Sequence, residues 1–190
     1  DWDRITPTDL VFPFFLFIVG VALAAAFRPY WPTERHGRRR PDRALYVRLA
    51  RRTVLLILLG LLVNGFPGFH LATWRIPGVL QRIAICYFIT SLLFVYVRPR
   101  VQSIVGLCGS ILVLYFVLMK FVPVPGYGAG VLEPVGNWGN YIDQHVMPGH
   151  MQHKNWEGKS LLGSFPALVT MLMGLLTGVY LRTARPAYEK

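Results

Sequence analysis

Five apolar runs, at residues 10–27, 45–64, 79–97, 101–122 and 165–181, punctuate this chain. Each comes close to the roughly 20 residues that an α-helix needs to cross a hydrocarbon core. Backbone that enters lipid must satisfy its own hydrogen bonds, and continuous runs of this length do so as helices. The expected fold is therefore all-α, a polytopic transmembrane helix bundle of five spans with one long extracytoplasmic loop at 123–164. Composition agrees, since 54% hydrophobic residues, 15% charged residues and a mean hydropathy of +0.43 do not describe a soluble domain. Cys86 and Cys108 fall inside apolar runs and read as packing residues rather than disulfide partners or metal ligands. The whole of 1–190 reads as one fragment of a larger multi-pass domain, with neither an initiator methionine nor a signal peptide at its start.

Loop charges orient the spans. Nine arginines lie between residues 28 and 52, two in the turn 97–101, and Arg182, Arg185 and Lys190 in the tail, so fourteen of the twenty basic residues share one side. By the positive-inside rule that side is cytoplasmic, as is the C-terminus, and Asp1 starts on the other. A net charge of +11 confined to such loops reports topology, and nucleic acid is not an expected partner. The segment 28–52 has two readings, attraction to anionic lipid and binding of a polyanionic cofactor, whose phosphates arginine matches bidentately. Arg48, Arg51 and Arg52 at the start of the second run must reach the interface by snorkelling.

At the N-terminal end a polar, acid-bearing stretch runs directly into the first span. Thr6, Pro7 and Asp9 form a helix-start signal, with Thr6 as N-cap and proline at the first helical position. Pro13 then lies within the helix, where it offers no N–H to the carbonyl of Asp9. One reading is a capped, proline-bearing span and nothing more; the other places Asp9 in a site. Arg82 falls about a turn and a half into the third span, roughly 7 Å deep at 1.5 Å per residue. It either snorkels or joins a buried polar site, with Asp9 or Asp143 as candidate partners.

The loop 123–164 exceeds ordinary connections, and Tyr127, Trp138, Tyr141 and Trp156 argue that it is ordered and able to present aromatic faces to a polar small ligand or carbohydrate. Its GYGAG is discounted as a phosphate loop, because no strand precedes it. His145, His150 and His153 with Asp143 match no strong zinc spacing, and no metal is expected. Gly106 with Ser110, and Gly174 with Gly178, are small-residue pairs that permit close helix approach.

The blocks DLVFPFFLFIVG, RIPGVLQRIAICYF, and VPVPGYG through NYIDQHVMPGH to MLMGLLTG occur in the order found in the heparan-alpha-glucosaminide N-acetyltransferase family, which the chain resembles over nearly its whole length, bacterial inner-membrane relatives included. The resemblance implies a membrane enzyme that passes acetyl from cytosolic acetyl-CoA to the amine of an amino sugar on the far side. It implies that Asp9 matches an active-centre acid whose catalytic histidine belongs just upstream of Trp2, that Arg82 is the arginine of the LQR motif, and that Asp143 and His150 occupy the YID and GH positions. Where relatives often carry DPEG, this chain has Asn155, Trp156, Glu157 and Gly158, which replaces the first acid. The resulting expectations are Asp9 and Arg82 as catalytic residues; Trp2, Gln81, Trp138, Tyr141, Asp143 and His150 as substrate contacts; and Arg38, Arg39 and Arg40 as holders of coenzyme A. The lipid bilayer, acetyl-CoA and an amino-sugar or glycan acceptor are the expected partners, a homodimer is allowed, and the expected location is a bacterial inner membrane. The alternative of another class is an amino-sugar transporter with Asp9 and Arg82 lining a polar path.

Overall fold

The computed structural model describes residues 7–30, 41–66, 75–96, 101–148, 150, 156, 158 and 160–183. These residues hold six α-helices and no strand: α1 (Pro7–Ala26), α2 (Arg43–Gly65), α3 (Val79–Tyr96), α4 (Val101–Phe121), α5 (Trp138–Val146) and α6 (Ser164–Thr183). Four of them, α1, α3, α4 and α6, are long and apolar enough to cross a membrane. The expected run at 45–64 is helical too, but every 18-residue window of α2 contains Arg48, Arg51 and Arg52, and this keeps it out of that group.

Local chemistry accounts for the helix ends. α1 starts at Pro7 with Asp9 in its first turn and Pro13 inside, as expected; the capping role given to Thr6 lies outside the described residues. Asp42 caps α2, its Oδ1 accepting from Leu45 N at 2.9 Å. α2 then runs antiparallel to α3 along its full length. Tyr46 meets Tyr96 with ring centroids 6.2 Å apart at one end, Gly60 faces Gln81, and Asn64 Nδ2 donates to the Pro77 carbonyl at 3.3 Å at the other.

The closest seam is between α1 and α6. A Cβ on Gly20 would meet the backbone of Met171 and Leu175, one on Gly174 the backbone of Phe17, and one on Gly178 the backbone of Val21 and the methyl of Ala24. Pairing 17 with 174 and 21 with 178 makes the two helices parallel, with backbones in near contact, the geometry that small residues allow in lipid. Leu16, Leu23, Met171, Leu172 and Leu175 are buried along this seam, and Phe27 stacks on Phe94 of α3 at 5.1 Å. The starts of α1, α3 and α6 thus lie at one end of the bundle, and the ends of α2 and α4 join them there.

Gly174 and Gly178 are used as expected, whereas Gly106 and Ser110 are not. Both are exposed on α4, a Cβ on Gly106 would meet nothing within 4 Å, and Ser110 Oγ instead donates back to the Gly106 carbonyl at 2.9 Å. The reason is rotational: α4 turns Ile104 and Cys108 inward, and 106 and 110 face away. Gly106→Ala should therefore leave stability unchanged or raise it by up to about 1 kcal/mol through helix propensity. Thermal unfolding in detergent measures this, and a clear loss would mean that something packs on that face.

The stretch expected as a loop is folded wherever it is described. Val124 and Gly128 form an isolated antiparallel bridge around a tight turn, and Gly126, Gly128 and Gly130 all have positive φ (85°, 92° and 74°). GYGAG is thus turn chemistry, which favours glycine at these positions. Helix α5, which the loop assignment overlooked, follows at Trp138 under an Asn137 cap that accepts from Asn140 N at 2.9 Å.

Candidate functional site

Arg82 is the centre of the polar residues at the shared end of α1, α3 and α6. Its guanidinium carbon lies 5.7 Å from the Phe12 ring centroid, within range of a cation–π contact. Phe12 stands one helical turn from Asp9, on the same face of α1, and Asp9 itself is exposed in the first turn. From the other side, Arg82 Nη2 donates to the Ser160 carbonyl at 2.6 Å. Ser160 begins the turn into α6, its carbonyl also accepting from Gly163 N at 3.1 Å. A Cβ on Gly163 would stand 3.2 Å from Arg82 Nη2, so the glycine leaves room for the guanidinium. Cys86, one turn further along α3, donates its thiol to the Ser164 carbonyl at 3.7 Å, and Tyr115 of α4 lies within electrostatic reach of Arg82.

Asp143 enters from α5. It is fully buried, and its Oδ1 accepts the N–H of Leu161 at 3.0 Å. Helix α5 is seated by Trp138 Nε1, which donates to the Val122 carbonyl at 2.8 Å, and by Gly139, which packs so closely on Ser160 that a Cβ would lie 2.6 Å from its hydroxyl. Tyr141 stacks edge-on to Trp138 at 5.5 Å and tilts over His145 at 4.3 Å, giving α5 a run of three rings along its length. The His150 carbonyl accepts from Ile76 N at 3.2 Å, which ties the segment after α5 to the segment before α3.

The structure thus gathers Arg82 and Asp143 about one peptide group, Ser160–Leu161, and brings Asp9 to the same end of the bundle. Gln81 is placed elsewhere. One residue along a helix turns the side chain by about 100°, and Gln81 faces α2, its amide packed against Gly60 and Gly78 beside Asn64. There it is buried, and its amide atoms have no hydrogen-bond partner among the described residues. Trp2, Arg38, Arg39, Arg40 and His153 lie outside the described residues, so the calls on Trp2 and on the three arginines do too. Among the described residues, no three His, Cys, Asp or Glu side chains gather as a metal site. Two contributors went unread in the sequence. Phe12 is one apolar residue in an apolar run, and Ser160 acts through its backbone carbonyl, which leaves no side-chain signature.

A cation that meets a carbonyl and an aromatic face, with that aromatic residue one helical turn from an exposed carboxylate, is suited to receive negative charge. A partly buried guanidinium stabilises developing negative charge more strongly than one in bulk water.

No family model matches the chain. Among curated proteins, the heparan-alpha-glucosaminide N-acetyltransferase of Mus musculus is 32% identical over 225 aligned residues, covering 93% of this chain. The protein of the same name from Homo sapiens is 28% identical over the same share. The chain spans about a third of the length of each, 33% in both cases. The resemblance carried by the three motif blocks is borne out by these relatives.

Proposed function

We propose, from the chain's similarity to heparan-alpha-glucosaminide N-acetyltransferases, that it carries part of the transfer site of a membrane acetyltransferase. Acetyl from acetyl-CoA is passed to the amine of an amino sugar on the non-cytoplasmic side. The observation that carries this reading is the position of Arg82, fixed between Phe12 and the Ser160 carbonyl at the end of the bundle that also bears Asp9.

Attack of the amine on the thioester carbonyl forms a carbon–nitrogen bond and puts negative charge on the carbonyl oxygen. Collapse expels the coenzyme A thiolate, and the amine proton must pass to a base. In this reading Arg82 stabilises that oxygen. Asp9 orients the base, which the family resemblance puts at a histidine upstream of Trp2. The arginines at 38–40 hold the phosphates of coenzyme A on the cytoplasmic face. The antiparallel course of α2 along α3 supports a fifth crossing with the arginines of α2 at headgroup level, and the basic loops support a cytoplasmic C-terminus in a bacterial inner membrane.

Membranes containing the full-length protein, supplied with labelled acetyl-CoA inside and a glucosamine-terminated oligosaccharide outside, should yield N-acetylated sugar bearing the label. Passage of unmodified sugar across the membrane with no acetylation would replace this reading with a transporter.

A further inference from the structure

One peptide group between α5 and α6 is gripped at both ends. Arg82 Nη2 donates to the carbonyl of Ser160 at 2.6 Å, and Asp143 Oδ1 accepts the N–H of Leu161 at 3.0 Å. These two atoms belong to the same amide, and in a trans peptide they point in opposite directions. The cation and the anion therefore face each other across a single peptide dipole aligned with both. A carboxylate as deeply buried as Asp143 is costly unless charge and hydrogen bonds compensate it, and this arrangement supplies both kinds of contact in a network whose members polarise one another.

We propose that Asp143 is a positioning residue for Arg82. Acting across the Ser160–Leu161 amide, it fixes the guanidinium at the outer end of α3, and it does not bind the acceptor sugar. An arginine side chain has four rotatable bonds and strays unless held. The Ser160 carbonyl can hold it only if the turn leading into α6 is itself held. Asp143 holds that turn from α5, so the outer segment reaches the reacting centre through one amide. The role rests on the reading of Arg82 as the group that meets the developing oxyanion.

The test uses the full-length protein. Asp143→Asn keeps an acceptor oxygen for Leu161 N–H and removes the charge. It should lower kcat about 10- to 100-fold, as misplacement of a catalytic group does, with KM for the amino sugar within about twofold of wild type. Added to Arg82→Gln, the same change should cost no more than about twofold further, because both act through one contact. A raised KM with kcat preserved, or losses that multiply, would overturn the proposal.

Hydrogen exchange over residues 160–163 supplies a readout independent of turnover. Arg82→Gln should speed exchange of the Leu161 amide about tenfold or more, by releasing the carbonyl end of the same peptide group, and an unchanged rate would overturn the clamp even if Asp143→Asn fails to accumulate. A wild-type protein that transfers no acetyl but shows this exchange response keeps the clamp and rejects the acetyl-transfer reading.

Discussion

Asp9→Asn in the full-length protein should lower acetyl transfer at least about 100-fold, the scale on which acid–base groups contribute, while the protein inserts and accumulates as wild type. Asparagine matches aspartate in size and can stand in the first turn of α1, so the start of the helix is conserved. What is lost is the charge, at an exposed position one turn from Phe12, over which Arg82 sits. The expected loss lies in kcat, because under the proposed function Asp9 orients a base, which acts in the reaction rather than in binding. Turnover measured in sealed vesicles, with protein amount determined in parallel, decides the matter. Near-normal turnover would return Asp9 to the plain role of a helix-start residue.

Gly174→Ala should have the largest effect on stability. A Cβ there would overlap the Phe17 carbonyl oxygen and stand 2.9 Å from its carbon and 3.0 Å from its Cα. All three are backbone atoms of α1, so no side chain can rotate away and the two helices must part. Overpacking of this kind costs about 1–3 kcal/mol, and loss of contact along the seam would add to it. The thermal midpoint in detergent should fall by several degrees, while Gly106→Ala, with open space around it, serves as the matched control. Activity should fall as well, because the parallel register of α1 and α6 sets Asp9 and the 160–163 turn at one level.

The division between what the sequence foretells and what it hides follows physical lines. The four apolar spans are legible because lipid selects for length and composition. The Gly174–Gly178 pair is legible because close packing in lipid needs small residues at helical spacing. The need of Arg82 for a partner follows from its depth, but the identity of that partner does not. Among the described residues the structure supplies the Ser160 carbonyl, with Asp143 at the other end of the same amide.

Helix α5 escapes because nine residues beginning Trp-Gly-Asn offer too little periodicity to separate a helix from a loop. Gln81 escapes because its neighbour Arg82 invites a shared role, while the helical rotation between them sends the two side chains to different partners. The pair Gly106 and Ser110 carries the same spacing as Gly174 and Gly178, yet among the described residues no helix docks on it. Spacing permits a close approach without naming the helix that makes it.

The α1–α6 seam also has a consequence in time. Phe17 and Gly174 touch across the seam but are made roughly 150 residues apart, which at ordinary rates of synthesis is an interval on the order of 10 to 30 s. Through that interval α1 must wait in the membrane with its Gly20 face uncovered, until α6 emerges and the seam can close. The end of the bundle where Arg82, Asp143 and Asp9 gather thus cannot close before α6 is made, so a ribosome that stalls ahead of α6 leaves spans in the bilayer with that end open.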